Sequence, residues 1–314
     1  MLGVVLGLGL GLGLAVGWGM DAWPKEEPIG RARVAGVQTT PTPKPTPTEV
    51  TITLTAVGDM MLGRSVQEQM EKRGDYSWPF RETAARLAAA DITVGNLEAV
   101  IVPDCRQAEN RFIFCARPEA MTGLTQAGFD VLSQANNHSL NYGQIAYEES
   151  VEQLAERGLA VTDPERLVVE EVKGVTFGFL GFDDVTKPID LAVATAAIAS
   201  ASAQAAVVVP LVHWGVEYVD QPMPRQREVA QAMAQAGAKI IIGSHPHWVQ
   251  GVEKVGETLV FWSLGNFVFD QMWSEETRSG RIAFLKLKVQ NSKLKDIEYE
   301  LVSVKIYDYG QPRW

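Results

Sequence analysis

The chain has 314 residues, 46% of them hydrophobic and 21% charged, which is long enough to bury a sizeable core and globular for most of its length. Its formal charge of −10, with no cluster of Lys and Arg to offset it, argues against a nucleic-acid-binding surface. Any polyanionic substrate must be met by a local cationic site.

Residues 1–22 are apolar, rich in Gly and Leu, and uncharged until Asp21. This predicts a signal or membrane-anchor segment, cleaved or retained, and the rest of the chain is expected outside the cytoplasm. Residues 23–49 form a linker, and from Thr39 to Thr48 it reads as a semi-rigid polyproline-type spacer. A folded domain is expected over residues 50–314.

Thr51 to Val57 alternates and is β-branched, so it predicts a strand, followed by a loop that carries Asp59 and a helix over Val66–Arg73. Pro79–Ala90 predicts a helix, after which a short apolar strand delivers Asn96 and Glu98 behind Gly95. Cys105 and Cys115 bracket a short polar segment; a small disulfide loop in an oxidising compartment and a pair of free buried thiols both fit. The strand-to-polar-loop pattern recurs at Phe129–Ser133, which runs into Asn136-Asn137-His138 ahead of a helix over Tyr142–Arg157.

Leu167–Val172 and Val175–Leu180, separated by Lys173-Gly174, predict a hairpin. An alanine-rich helix over Ala192–Ala205 precedes the apolar strand Ala206–Val212, which ends at His213-Trp214-Gly215-Val216-Glu217. A helix over Arg225–Ala236 feeds the strand Ala238–Ile242 and the motif Gly243-Ser244-His245-Pro246-His247, where alternation on an extended chain would send both histidines to one side. Thr258–Ser263 closes on Leu264-Gly265-Asn266-Phe267, and Arg281–Val289 with Ile297–Val304 read as two antiparallel strands. The whole indicates an α/β domain with a mixed sheet or two stacked sheets.

All four histidines, His138, His213, His245 and His247, follow predicted strands directly, as do Asp59, Glu98 and Asn137. In a layered α/β fold such strand ends converge on one edge. Imidazole, carboxylate and amide oxygen together suit one or two divalent ions of manganese, zinc or iron, while an all-oxygen calcium or magnesium cage has no need of histidine. Such a site activates water and stabilises charge on a phosphoryl or acyl group, with Glu98 placed to bridge two ions and His138 to protonate a leaving group. The competing mechanism, a serine hydrolase using Ser244 or Ser263, lacks a Gly-x-Ser-x-Gly elbow.

The ordered motifs Gly-Asp, Gly-Asn-x-Glu, Asn-Asn-His, His-Trp-Gly, Gly-Ser-His-Pro-His and Ser-Leu-Gly-Asn-Phe resemble the CapA (PgsA) family of bacterial poly-γ-glutamate capsule synthesis proteins, from about Thr51 to about Val289. The resemblance implies a calcineurin-like metallophosphatase fold, a four-layer αββα sandwich with mixed sheets. It implies metal binding by Asp59, Glu98, Asn137, His213, His245 and His247, and catalysis by His138 with Asp59 and Glu98. It departs from the phosphatase pattern at Met61, which stands where a first-motif histidine belongs. A substrate-binding role is open to Arg64, Asn266 and Trp214, against plainer readings as a helix-start arginine, a turn asparagine and a core aromatic. Trp248 can likewise wall the site or fill the core, and Glu217 can be a second acid or a solvated loop carboxylate.

The expected function is therefore capsule or poly-γ-glutamate biosynthesis through a metal-dependent hydrolase-like site. The expected partners are an anionic polymer or a phosphate ester, the membrane through the N-terminal segment, and other capsule-synthesis membrane proteins. A plain metallophosphoesterase and a non-catalytic assembly or export component are the alternatives.

Overall fold

A computed structural model describes residues 49–105 and 112–314. The expected N-terminal apolar segment and the linker lie outside the described residues, except that Glu49 already belongs to the first strand. Among the described residues no helix is long and apolar enough to cross a membrane.

The first half supplies strands β1 (Glu49–Met60), β2 (Ile92–Leu97), β3 (Val100–Ile101), β4 (Cys115–Ala116), β5 (Val131–Ser133), β6 (Ala160–Thr162), β7 (Val168–Val172) and β8 (Val175–Asp183). The second half adds β9 (Val207–His213), β10 (Ile240–Ser244), β11 (Val252–Val255), β12 (Thr258–Phe261), β13 (Asn266–Val268), β14 (Ser279–Gln290), β15 (Lys293–Tyr307) and β16 (Gln311–Arg313). Helices are α1 (Arg64–Arg73), α2 (Ala84–Leu87), α3 (Met121–Gln126), α4 (Gly143–Glu156), α5 (Leu191–Ser202) and α6 (Pro224–Gln235).

Two mixed sheets result. One runs β16-β15-β14-β1-β2-β5-β6, with β13 also paired to β1, and the other β11-β12-β10-β9-β8-β7. In each the central strands are parallel and the outer pairings, β1 with β14 and β7 with β8, antiparallel. The predicted hairpin is present, and Lys173 and Gly174 both hold positive φ, as a two-residue hairpin turn requires.

The sheets face each other across one core built from both, in which Ile52, Leu54 and Val94 of the first meet Phe177, Val209, Leu211 and Ile242 of the second. On the far side of the second sheet Val208, Val212 and Ile241 pack against Ile198 of α5 and Val229 and Met233 of α6. On the far side of the first, Val57, Met60 and Leu132 meet Met70, Leu124 and Leu154 from α1, α3 and α4. This is the expected four-layer αββα sandwich. It also explains why β9 and β10 read as unbroken apolar runs, since a strand covered on both faces has no polar side.

The helix predicted over Pro79–Ala90 is broken. Residues Trp78–Phe80 form a single 3₁₀ turn and only Ala84–Leu87 are α-helical. Trp78 and Phe80 are anchored in the core and the buried Thr83 hydroxyl bonds the Phe80 carbonyl, so side-chain burial overrides helix propensity there. Cys105 and Cys115 are joined in a disulfide, which resolves the alternative left open by the sequence.

Candidate metal centre

Strand register brings the polar residues to one end of both sheets. Asp59 stands opposite Asn96 of β2 and Asn266 of β13, while in the second sheet His213 stands opposite Ser244, the last residue of β10. Glu98 follows β2 directly, its backbone N–H on the Met60 carbonyl at 2.8 Å. Gly243 is required at its position because a Cβ there would lie 2.1 Å from the Trp262 carbonyl oxygen. His245 and His247 do meet, with ring centroids 6.0 Å apart, but not by extended alternation. Their φ values are 95° and 58°, so a left-handed turn presents them.

Donors gather in two groups that share His247. Asp59, Glu98 and His247 form one and Glu217, His245 and His247 the other, with one ligand atom from each residue lying within 4.8 Å of the rest. Asn96 is the hub behind them: its amide nitrogen donates to Asp59 Oδ1 at 2.8 Å and Glu98 Oε1 at 2.9 Å, and lies 3.2 Å from His213 Nδ1. Asn136 in turn donates to Asn96 Oδ1 at 3.2 Å and the Leu97 carbonyl at 2.9 Å.

Burial pushes Glu98 well above the usual carboxylate range, and the neighbouring Asp59 charge adds to the rise. Burial would raise Asp59 too, but its hydrogen bond to His247 and its electrostatic interaction with that ring outweigh it and hold that carboxyl down. Burial also drives His138 and His245 down to about 4 and His213 well below its ordinary value, so these rings are neutral, the form that ligates metal. Glu98 Oε2 and His245 Nδ1 are buried with no hydrogen-bond partner among the described residues. Two unsatisfied acceptor-capable atoms beside a second carboxylate form an arrangement that a divalent cation would complete, and the donor set fits one.

The remaining predicted residues take distinct places. His213 belongs to neither group, because its ring nitrogens face Ser244 Oγ at 3.0 Å and Asn137 Oδ1 at 2.9 Å. The Asn137 amide nitrogen lies 3.2 Å from His138 Nε2, linking the two histidines. His138 stacks on Phe114 with centroids 3.8 Å apart, and its Nδ1 faces Asn141 Oδ1 at 3.1 Å. That oxygen also accepts the Phe114 N–H at 2.7 Å, so Nδ1 carries the ring proton and Nε2 the lone pair. Ser244 is buried and orients His213, and Ser263 is buried in a turn where its hydroxyl accepts the Gly265 N–H.

One substrate-binding expectation is overturned, and a second residue open to that role lies in the interior. Trp214 is fully buried in the α6-side core with its indole N–H on the Trp262 carbonyl at 2.9 Å, because its neighbour His213 faces the centre and successive strand residues face opposite ways. Asn266 is also fully buried. Its Oδ1 meets His247 Nδ1 at 2.8 Å while its nitrogen donates to Gln271 Oε1 and the Thr277 carbonyl, so it positions that ring. Arg64 stands beside the centre, ion-paired with Asp270 and with its guanidinium over the Phe114 ring at 4.5 Å. Met61 turns into the core, its sulfur 3.2 Å from the Gly63 nitrogen.

The sequence profile of the family described as bacterial capsule synthesis protein PGA_cap matches residues 53–271. The PGA biosynthesis protein CapA of Bacillus subtilis (strain 168) is 33% identical over 252 residues, 73% of this chain and 66% of that protein. The capsule biosynthesis protein CapA of Bacillus anthracis is 34% identical over 259 residues, 73% of this chain and 62% of that protein. The chain thus spans just under two thirds of each relative's length. Among solved structures, a phosphatase from Mycoplasma pneumoniae has a TM-score of 0.52 at 11% identity, over 82% of this chain and 95% of its own. That is a likeness of fold.

Proposed function

The chain belongs to the PGA_cap family of bacterial capsule synthesis proteins, and from that premise we propose that it acts in capsule formation on an anionic polymer of the poly-γ-glutamate kind, through a divalent-metal centre. The observation that carries this reading is the meeting of Asp59, Glu98, His245 and His247, with Glu98 Oε2 and His245 Nδ1 buried and without partners among the described residues. Asp59, Glu98 and His247 hold the ion, with Asn137, His213 and His245 around them. When bound, a divalent ion supplies Lewis acidity toward a carbonyl or phosphoryl oxygen.

The chain's own residues do the rest. His138, neutral and with its lone pair on Nε2, is set to accept a proton there rather than to arrive as an acid. Asn266 fixes the His247 tautomer and the Asn96 amide nitrogen donates to both carboxylates, holding them in place. Arg64 brings positive charge beside the centre in an acidic protein, where a polyanion has to be met.

The same proposal places the folded domain outside the cytoplasm, tethered to the membrane by residues 1–49 and working beside other capsule-synthesis membrane proteins. The Cys105–Cys115 disulfide supports it, since such bonds persist in oxidising compartments.

The test is elemental analysis of the purified full chain, followed by incubation with poly-γ-glutamate. Stoichiometric manganese, zinc or iron that is lost in His247→Ala, with polymer cleavage or transfer that is lost in Asp59→Ala, is the expected result. A chain that takes up no transition metal sinks the centre. Turnover of a phosphodiester with none of the polymer would move the substrate to a phosphate ester.

A further inference from the structure

The metal set named above comes from the buried side of the centre and leaves one acid unused. Glu217, in the loop after β9, is exposed, and its carboxylate reaches within 4.8 Å of a ring nitrogen on both His245 and His247. Met61, by contrast, points into the core and gives the centre nothing.

Glu217 is not on a loosely drifting loop. The N–H of Tyr218, the next residue, donates to the Pro246 carbonyl at 2.8 Å, which ties the Glu217 loop to the residue between the two histidines. Tyr218, His245 and His247 all hold positive φ, at 63°, 95° and 58°, a region that non-glycine residues enter only when their surroundings impose it. The two loops are thus fixed against each other in one geometry. His245, only 5% exposed, keeps its Nδ1 buried with no partner among the described residues, and one of its ring nitrogens lies within 4.8 Å of this carboxylate.

We propose that Glu217 is a metal ligand, closing from the solvent side the coordination at His245 and His247 that Asp59 and Glu98 begin from the buried side. The inference rests on the reading that the centre takes a divalent ion. The resulting mixture of imidazole nitrogen and carboxylate oxygen selects a first-row transition ion over calcium or magnesium. A ligand on an exposed loop also leaves the buried Asp59–Glu98 pair undisturbed when it lets go, so exchange of the ion proceeds from that side.

The test is calorimetric titration of metal-free full chain with Mn²⁺, with the electron paramagnetic resonance spectrum of the bound ion as a second readout. Glu217→Gln is expected to weaken binding by at least about tenfold and change the spectrum, while the metal-free protein melts like wild type because the residue is exposed. Glu217→His, which removes the charge but keeps a donor, is expected to regain most of the affinity. Wild-type affinity and spectrum in Glu217→Gln, or Glu217→His binding as weakly as Glu217→Gln, would overturn the ligand role and leave the metal centre standing. Failure of wild type itself to bind would overturn both.

Discussion

Gly243→Ala is the sharpest test of how the chain presents His245 and His247. A Cβ at residue 243 would sit 2.1 Å from the Trp262 carbonyl oxygen and 2.5 Å from Trp214 Nε1, where ordinary contact begins at 3.4 Å. Neither neighbour can swing aside: one is backbone, and the other is a fully buried indole whose N–H is bound to that same carbonyl. The methyl group therefore overpacks the site, at about 1–3 kcal/mol, and breaks a buried hydrogen bond, at about 1–3 kcal/mol. A combined loss of about 3 kcal/mol corresponds to roughly 6–12 °C in Tm for a domain of this size. Because β10 ends one residue later at Ser244, the displacement passes directly into the loop that carries both histidines. Circular dichroism melts should show the drop, and metal titration of the folded variant should show affinity reduced by at least about tenfold. A variant melting within about 2 °C of wild type and binding metal normally would refute the close-approach reasoning.

Two further outcomes are expected. Reducing the Cys105–Cys115 disulfide, which closes a separation of 10 residues, or replacing both cysteines by Ser should cost about 3 kcal/mol in urea unfolding; an unchanged midpoint would show that the bond constrains nothing. Asp91 Oδ2 accepts from the Thr53 N–H at 2.8 Å, the Thr53 hydroxyl at 2.9 Å and Lys173 Nζ at 2.7 Å. Burial opposes these bonds but they prevail, holding the carboxyl below its ordinary value of 3.8. A depressed folded value stabilises the fold above the unfolded one, and that stability is lost as pH falls through the folded value. Asp91→Asn should therefore cost about 2 kcal/mol at neutral pH, and the gap to wild type should narrow as pH is taken progressively below the ordinary value of 3.8. An equal gap at every pH would show that the charge is not its source.

The layers were legible where burial imposes a pattern. β9 and β10 announce themselves as apolar runs because both faces are covered, and the Lys173-Gly174 hairpin because its turn needs positive φ. β3 and β4, two residues each, carry no periodicity, and β13 exists through its pairing with distant β1, which no local pattern records. In the site, the scarcity of histidine and its place after strands brought the right loops together, but position after a strand does not say which way a side chain points. Trp214 and Asn266 stay open in the sequence for that reason, although for Trp214 the alternation from His213 favours the core. The amide hub was hidden for another reason. Asn96 and Asn136 look like ordinary loop asparagines until register sets them beside Asp59 and Glu98.

The candidate ligands come from both halves of the sandwich: Asp59 and Glu98 rise from the first sheet, and Glu217, His245 and His247 from the second. An ion bound there therefore acts as a rivet through the seam, and its binding free energy is also cohesion between the two halves of the domain. Occupancy of the centre and the grip of one sheet on the other become a single quantity, so that anything loosening the packing of Leu54 on Leu211 is also felt as a weaker hold on metal.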